Sequence, residues 1–119
     1  EGSGKTTQIR RLQRYLARKG ISSKITREPG GSFIGEKIRK ILLHPDHDEM
    51  TPWSELLLYE AARAQHIDQV VKPFLKKGTT VLCDRFSDAT LAYQGYGRRL
   101  DVRWIRKLNR LASRGVKPD

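Results

Sequence analysis

Two short stretches of this sequence carry side-chain types at spacings suited to handling phosphate. Gly2-Ser3-Gly4-Lys5-Thr6-Thr7 opens a helical pattern and ends the motif G-x-x-x-x-G-K-[ST], whose first glycine would precede Glu1. Glycines let the backbone curl until several N–H groups face one anion, and the helix that follows adds its positive end. In such a loop Lys5 reaches the β- and γ-phosphates of a nucleotide, and the Thr6 hydroxyl ligates Mg²⁺. The second stretch is Asp84-Arg85, at the end of the apolar run Thr79–Cys83. Ligands of open parallel sheets bind at the carboxyl ends of strands. An Asp there can hold Mg²⁺ through water or orient an attacking oxygen, and an Arg offers phosphate a bidentate fork.

A third pair can read a base. Tyr59 and Arg63 stand at i and i+4 of one helical pattern, so ring and guanidinium share a face. A stacking ring with a donor for a carbonyl is what recognition of a pyrimidine requires. Each signal has a plainer reading when taken alone: a glycine turn before a basic helix, an Asp–Arg strand cap, a core tyrosine beside Leu56, a solvated arginine.

The elements that must position these groups follow from the apolar pattern. Ile9, Leu12, Tyr15 and Leu16 stripe a first helix that Gly20 stops, with Arg10, Arg11, Arg14 and Arg18 on the solvated face. Ser22 to Arg27 reads as a strand ended by Pro29-Gly30-Gly31. A helix from Phe33 to Leu43 turns Ile34, Ile38, Ile41 and Leu42 inward. Residues His44 to Met50 form a polar loop, and Thr51-Pro52 starts a helix that reaches Lys77 with a break near Pro73. Thr79–Cys83 is a strand buried on both faces, and residues 86–94 a short helical turn. Asp101 caps a last helix with Val102, Ile105, Leu108 and Ala112 inward. Strands separated by helices predict an α/β fold with a parallel sheet, and two strands are few for one. The chain reads as one domain over residues 1–119, incomplete at both ends: the strand before the phosphate loop and the C-terminal part lie outside it.

Composition sets limits without choosing a function. The chain has 119 residues, 37% hydrophobic and 31% charged, with a net charge of +11. No apolar run nears the roughly 20 residues of a membrane span, so no membrane partner is expected and a cytoplasmic protein is the default. One cysteine, Cys83, excludes an intrachain disulfide; it reads as a small core residue. Residues 1–27 hold eight basic side chains and one acid, residues 28–97 eight and ten, and residues 98–119 eight and two. The positive excess therefore sits at the ends, away from most of the candidate chemistry, which argues against a nucleic-acid-binding module. His44, His47 and His66 lack ligand spacing and read as surface or capping residues. Trp53 and Trp104 read as packing or interface residues.

The segments EGSGKTTQ, TREPGG, LLLYEAARAQHI and DRFSDATLAYQGYGR, in this order and spacing, resemble the thymidylate kinase family over nearly the whole chain. The resemblance implies a P-loop NTPase-type three-layer fold and transfer of the ATP γ-phosphate to dTMP, giving dTDP and ADP for dTTP synthesis. ATP and Mg²⁺ are the implied cofactors and a homodimer the implied assembly. By position, Gly2, Ser3, Gly4, Lys5, Thr6 and Thr7 match the ATP phosphate loop, with Thr6 and Asp84 toward the metal. Glu1 matches the acid near the sugar 3′-hydroxyl. Arg27, Glu28 and Pro29 match the segment beside the acceptor phosphate. Tyr59 takes the place of the stacking aromatic, where the family commonly has Phe, and Arg63 that of the base-binding arginine. Arg85 matches the acceptor-phosphate arginine and Asp84 its acidic neighbour; with Lys5 they form the implied catalytic set. Thr90, Tyr93 and Gln94 line the base and sugar pocket. Some relatives carry an arginine in the phosphate loop; this chain has Gly2, as in the bacterial type, where basic lid residues substitute. No lid falls within these residues, so the 119 residues alone are expected to be nearly inactive. A phosphate-loop kinase for another nucleoside monophosphate is the alternative.

Overall fold

The computed structural model describes residues 3–119; Glu1 and Gly2 lie outside the described residues. Helix α1 (Lys5–Arg18) leads to strand β1 (Ser23–Arg27), then α2 (Phe33–Leu42) and α3 (Pro52–His66). A π-helical segment (Ile67–Val71) joins α3 to α4 (Lys72–Lys76), and β2 (Thr80–Asp84) follows. The chain then runs through α5 (Ser87–Thr90), a second π-helical segment (Leu91–Gly97) and α6 (Val102–Ser113). Among the described residues the sheet has two strands, parallel, with Ser23 opposite Thr80 and Arg27 opposite Asp84. This register sets the carboxyl ends of both strands side by side, and the Glu28 N–H extends the pairing by donating to the Asp84 carbonyl at 3.0 Å.

Local chemistry accounts for the helix limits. The Ser32 hydroxyl caps α2 by accepting from the Gly35 N–H, and Thr51 caps α3 through the Ser54 N–H, with Pro52 at the first helical position. Asp101 caps α6 through the Arg103 N–H. The break near Pro73 lies just before it, over Ile67–Val71. Proline has no N–H to continue an i→i−4 ladder, and the widened π turn absorbs the misfit.

The apolar core is built on the helices after β1. Leu56, Ala62, Ile67, Val71, Ile105 and Ala112 are buried, with Leu56, Ile67 and Ile105 wholly removed from solvent. Each such side chain contributes about 1.5–3 kcal/mol. Val102, Ile105, Leu108 and Ala112 face inward on α6 as their spacing predicts. The stripes of the earlier helices are less covered. Helix α1 buries no residue, with Leu12 and Tyr15 exposed, and Ile34 and Ile41 of α2 are exposed although their period points them inward. In α2 the buried position is Gly35, where a Cβ would lie 2.7 Å from the Gly30 carbonyl oxygen, so the helix start packs on its own entry turn. Strand β2, expected to be buried on both faces, is half-buried among the described residues.

Candidate active site

Helix α1 begins without a side-chain cap. Gly4 takes φ 78°, a left-handed conformation that glycine adopts at little cost, and its carbonyl accepts from the Gln8 N–H. Ser3 and the first-turn residues Lys5, Thr6 and Thr7 are exposed, and the Lys5 ammonium donates to the Ser3 hydroxyl at 2.8 Å. Thr6 lines a cavity of about 400 Å³ together with Thr26, Arg27, Glu36 and Asp84. A hydroxyl and a carboxylate across one polar cavity are hard oxygen donors of the kind Mg²⁺ takes, so Thr6 and Asp84 fit the ion. Arg27 also falls here, ion-paired with Glu36 at 3.1 Å. The Glu36 carboxyl is held below the usual carboxylate range, chiefly by the Gly31 N–H that donates to it and further by Arg27.

A second cavity, of about 500 Å³, opens beside the carboxyl end of β2. Glu28, Pro29, Tyr59, Arg85, Tyr93 and Gln94 line it, and a small neighbouring pocket that shares five of these residues is lined also by Arg63, Phe86 and Thr90. The structure thus gathers the described residues matched to the acceptor nucleotide, apart from Arg27, around these two adjoining spaces, while Glu1 lies outside the described residues. Arg85 directly follows β2 with φ 72°, a left-handed backbone that costs a non-glycine residue roughly 1–2 kcal/mol. Its carbonyl accepts from the Cys83 thiol at 3.1 Å, and its guanidinium lies 4.9 Å from the centre of the Tyr93 ring. Strain at a cation facing a cavity is typical of positions set by function.

Arg63 is 2% exposed and joins four elements. Its Nε donates to Glu28 Oε2 at 2.8 Å, Nη1 to Glu60 Oε1 at 2.9 Å and to Asn109 Oδ1, and Nη2 to Thr90 Oγ1 at 2.9 Å. A guanidinium has five N–H groups, so one on Nη2 is left toward the cavity, and Phe86 covers its face at 5.2 Å. Burial pushes the Glu60 carboxyl up to about 7, against the pull of Arg63. Burial likewise raises the Tyr59 hydroxyl, and pushes the Cys83 thiol up to about 12. Gln94 donates to Glu55 at 2.6 Å, and Arg98 closes the cavity mouth by pairing with Glu55 at 3.0 Å.

Arg63 is buried, unlike the solvated charge that its position alone would suggest. His66, expected at the surface, is wholly buried with Nδ1 2.9 Å from Glu28 Oε1 and Nε2 2.7 Å from Thr26 Oγ1. Its i+3 spacing from Arg63, repeated by Glu60 at i−3, was the available signal that these three share a face. Trp53 and Trp104 are 44% and 53% exposed, more than core residues would be. Arg39 was missed entirely: it lines the larger cavity and donates to the Pro29 carbonyl at 3.0 Å. No spacing links it to the other site residues; packing of α2 on α3 brings it in.

A glycine-led helix start beside the ends of two parallel strands, with a separate arginine-lined cavity across those ends, defines a phosphate-loop α/β protein. The family model described as thymidylate kinase matches residues 1–119, and the chain belongs to that family. Among similar proteins, the thymidylate kinase of Pelotomaculum thermopropionicum is 56% identical over 119 residues, covering 100% of this chain and 55% of that protein. The thymidylate kinase of an Exiguobacterium species is 53% identical, covering 100% and 56%. The crystal structure of thymidylate kinase from Ehrlichia chaffeensis superposes with a TM-score of 0.87 at 41% identity, covering 100% of this chain and 66% of that one. The chain spans about half the length of the curated relatives it matches.

Proposed function

We propose that the gene product carrying these residues transfers the γ-phosphate of ATP to dTMP, forming dTDP and ADP. The observation that supports this reading is the pair of adjoining pockets that share Tyr59 and Arg85, the inner one also lined by the buried donor Arg63. In the proposed complex thymine stacks on Tyr59 and its carbonyl takes the remaining Arg63 N–H. Thr90 and Gln94 border the base, and Tyr93 the sugar, with Glu1 matched to the sugar's 3′-hydroxyl region. Arg85 and Arg39 hold the acceptor phosphate, with Pro29 fixing Arg39.

The α1 entry, Gly2 through Thr7, takes the ATP phosphates on its backbone N–H groups, with Lys5 reaching the β- and γ-oxygens. Thr6 and Asp84 would hold Mg²⁺, which would supply charge neutralisation to the phosphates when bound. Asp84 and Arg85 are consecutive, so the metal side and the acceptor side meet at the end of β2. The residues' work is alignment of two anionic nucleotides and shielding of their repulsion.

We also propose a single unit over residues 1–119, a homodimer, and a cytoplasmic location without nucleic-acid or membrane partners. Exposed Phe33, Ile34 and Leu57 on α2 and α3 offer apolar area for dimerisation. Among the described residues no helix is long and apolar enough to cross a membrane.

The test is ADP formation by the complete gene product with ATP and dTMP, dUMP, dCMP or dGMP in turn, with and without Mg²⁺. Preference for dTMP, abolished by chelation, is expected. Equal turnover of dGMP would overturn the thymine-reading pair and favour a kinase for another monophosphate.

A further inference from the structure

We infer that His66 is a positioning residue that holds Arg63 and Arg39, two arginines of the acceptor side, in place through its hydrogen bonds to Glu28 and Thr26. The inference rests on the proposed function for what the cavity binds. His66 closes α3, and both its ring nitrogens are used. A carboxylate beside a guanidinium only accepts, so Nδ1 carries the hydrogen and donates to Glu28 Oε1, while Nε2 is hydrogen-bonded to the Thr26 hydroxyl. Glu28 is 4% exposed, and its two oxygens are divided between two donors, His66 Nδ1 and Arg63 Nε. Removing the imidazole donor leaves one oxygen of a buried carboxylate unsatisfied. Glu28 is then free to rotate, and Arg63 loses the fixed acceptor that orients its fork.

The second support is steric. The turn from Glu28 to Gly31 rests on the imidazole edge: a Cβ at Gly31 would lie 2.6 Å from His66 Cδ2 and 2.7 Å from Thr26 Oγ1. That turn carries the Pro29 carbonyl that holds Arg39. One ring therefore braces the base end through Glu28 and Arg63, and the phosphate end through the turn and Arg39. Of its two partners, Thr26 lines the phosphate-loop cavity and Glu28 the acceptor cavity; the links to Arg63 and Arg39 run through Glu28 and its turn, so the larger effect falls on the acceptor side.

The experiment compares His66→Phe, His66→Asn and Thr26→Val in the complete gene product. It reads hydrogen exchange of the Arg63 Nε–H by arginine-labelled NMR, and KM for dTMP and ATP separately. In H66F, exchange of the Arg63 Nε–H is expected to rise about tenfold or more, and KM for dTMP to rise about tenfold, with KM for ATP within about twofold. H66N, whose amide can still donate to Glu28, recovers most of both effects. T26V, which frees the ring at Nε2, shifts both about threefold. Wild-type protection of the Arg63 Nε–H in folded H66F, or equal rises in both KM values, overturns the inference. If H66F does not fold, H66N and T26V decide: unchanged exchange and unchanged dTMP KM in both overturn it. If the unaltered protein does not phosphorylate dTMP, the proposed function falls, and the exchange measurement still decides the role of His66.

Discussion

Among the described residues, the two cavities flanking the strand ends differ in how deeply their cations are buried. On the phosphate-loop side, Lys5, Thr6 and Thr7 stand exposed at the start of a helix that buries no residue. On the acceptor side, Arg63 is 2% exposed and bonded to Glu28, Glu60, Thr90 and Asn109, drawn from a strand end and three helices. An exposed cation keeps its hydration and its freedom, and loses both only when an anion arrives. A buried cation has lost them already on folding, so its geometry is set before any ligand binds. The acceptor-side arginine is preorganised by hydrogen bonds within the protein.

That contrast breaks most visibly at Arg63. Arg63→Met leaves Glu28 and Glu60 buried without their counter-ion and is expected to cost about 3–5 kcal/mol in denaturant unfolding. Loss of the last N–H to the base should raise KM for dTMP about 10–100-fold where the variant folds. A destabilisation below about 1 kcal/mol would remove the distinction between the two sides.

The pH dependence of folding sharpens it next. Glu60 sits near 7 when folded and at the ordinary carboxylate value when unfolded. The folded protein therefore binds the extra proton between those values, so stability from this group grows as pH falls from above 7 and is lost as pH rises through about 7. Compared with Glu60→Gln, the unaltered protein should gain on the order of 1–2 kcal/mol between pH 8 and pH 5.5, read as a difference in Tm shifts. Equal shifts in the two proteins would show that Glu60 ionises as in water.

Arg85 tests a residue where function and stability oppose each other. Arg85→Gly and Arg85→Ala should each lower turnover about 10²–10³-fold. The glycine variant should nevertheless be about 1 kcal/mol more stable than the alanine one, because φ 72° suits glycine alone. Identical stabilities would mean that the backbone there is unstrained. Smallest in folding terms is Lys5→Ala: unfolding should change by less than about 0.5 kcal/mol, since among the described residues its side chain makes one hydrogen bond, an exposed one to Ser3. Turnover should still fall about 10²–10³-fold. A large stability loss there would place the phosphate loop in the folding core after all.

The parts of the site that depend on local order were legible from the residues. Gly4-Lys5-Thr6 at a helix start, Asp84-Arg85 closing a strand, and Tyr59 with Arg63 one turn apart all lie where their spacing put them. The caps at Thr51 and Asp101 and the break before Pro73 were equally readable, because each is settled within four residues. Two kinds of information were out of reach. Exposed Ile34 and Ile41 show that an apolar period identifies a helix face without saying what covers it. Buried His66 shows that a polar residue between apolar ones carries no mark of its partners when those lie 38 and 40 positions away.

What the sequence by itself determined is the set of elements and the chemistry at their ends, since φ/ψ preference, capping and helical spacing act over one or two turns. Tertiary structure alone decided which cation became a buried hub and which stayed in water. Parallel pairing brought Glu28 beside Asp84, and α3 and α6 closed over Arg63 with Glu60 and Asn109. Burial is a property of the packed whole: the same arginine on the same helix is a solvated charge or a fixed donor according to what distant segments place around it.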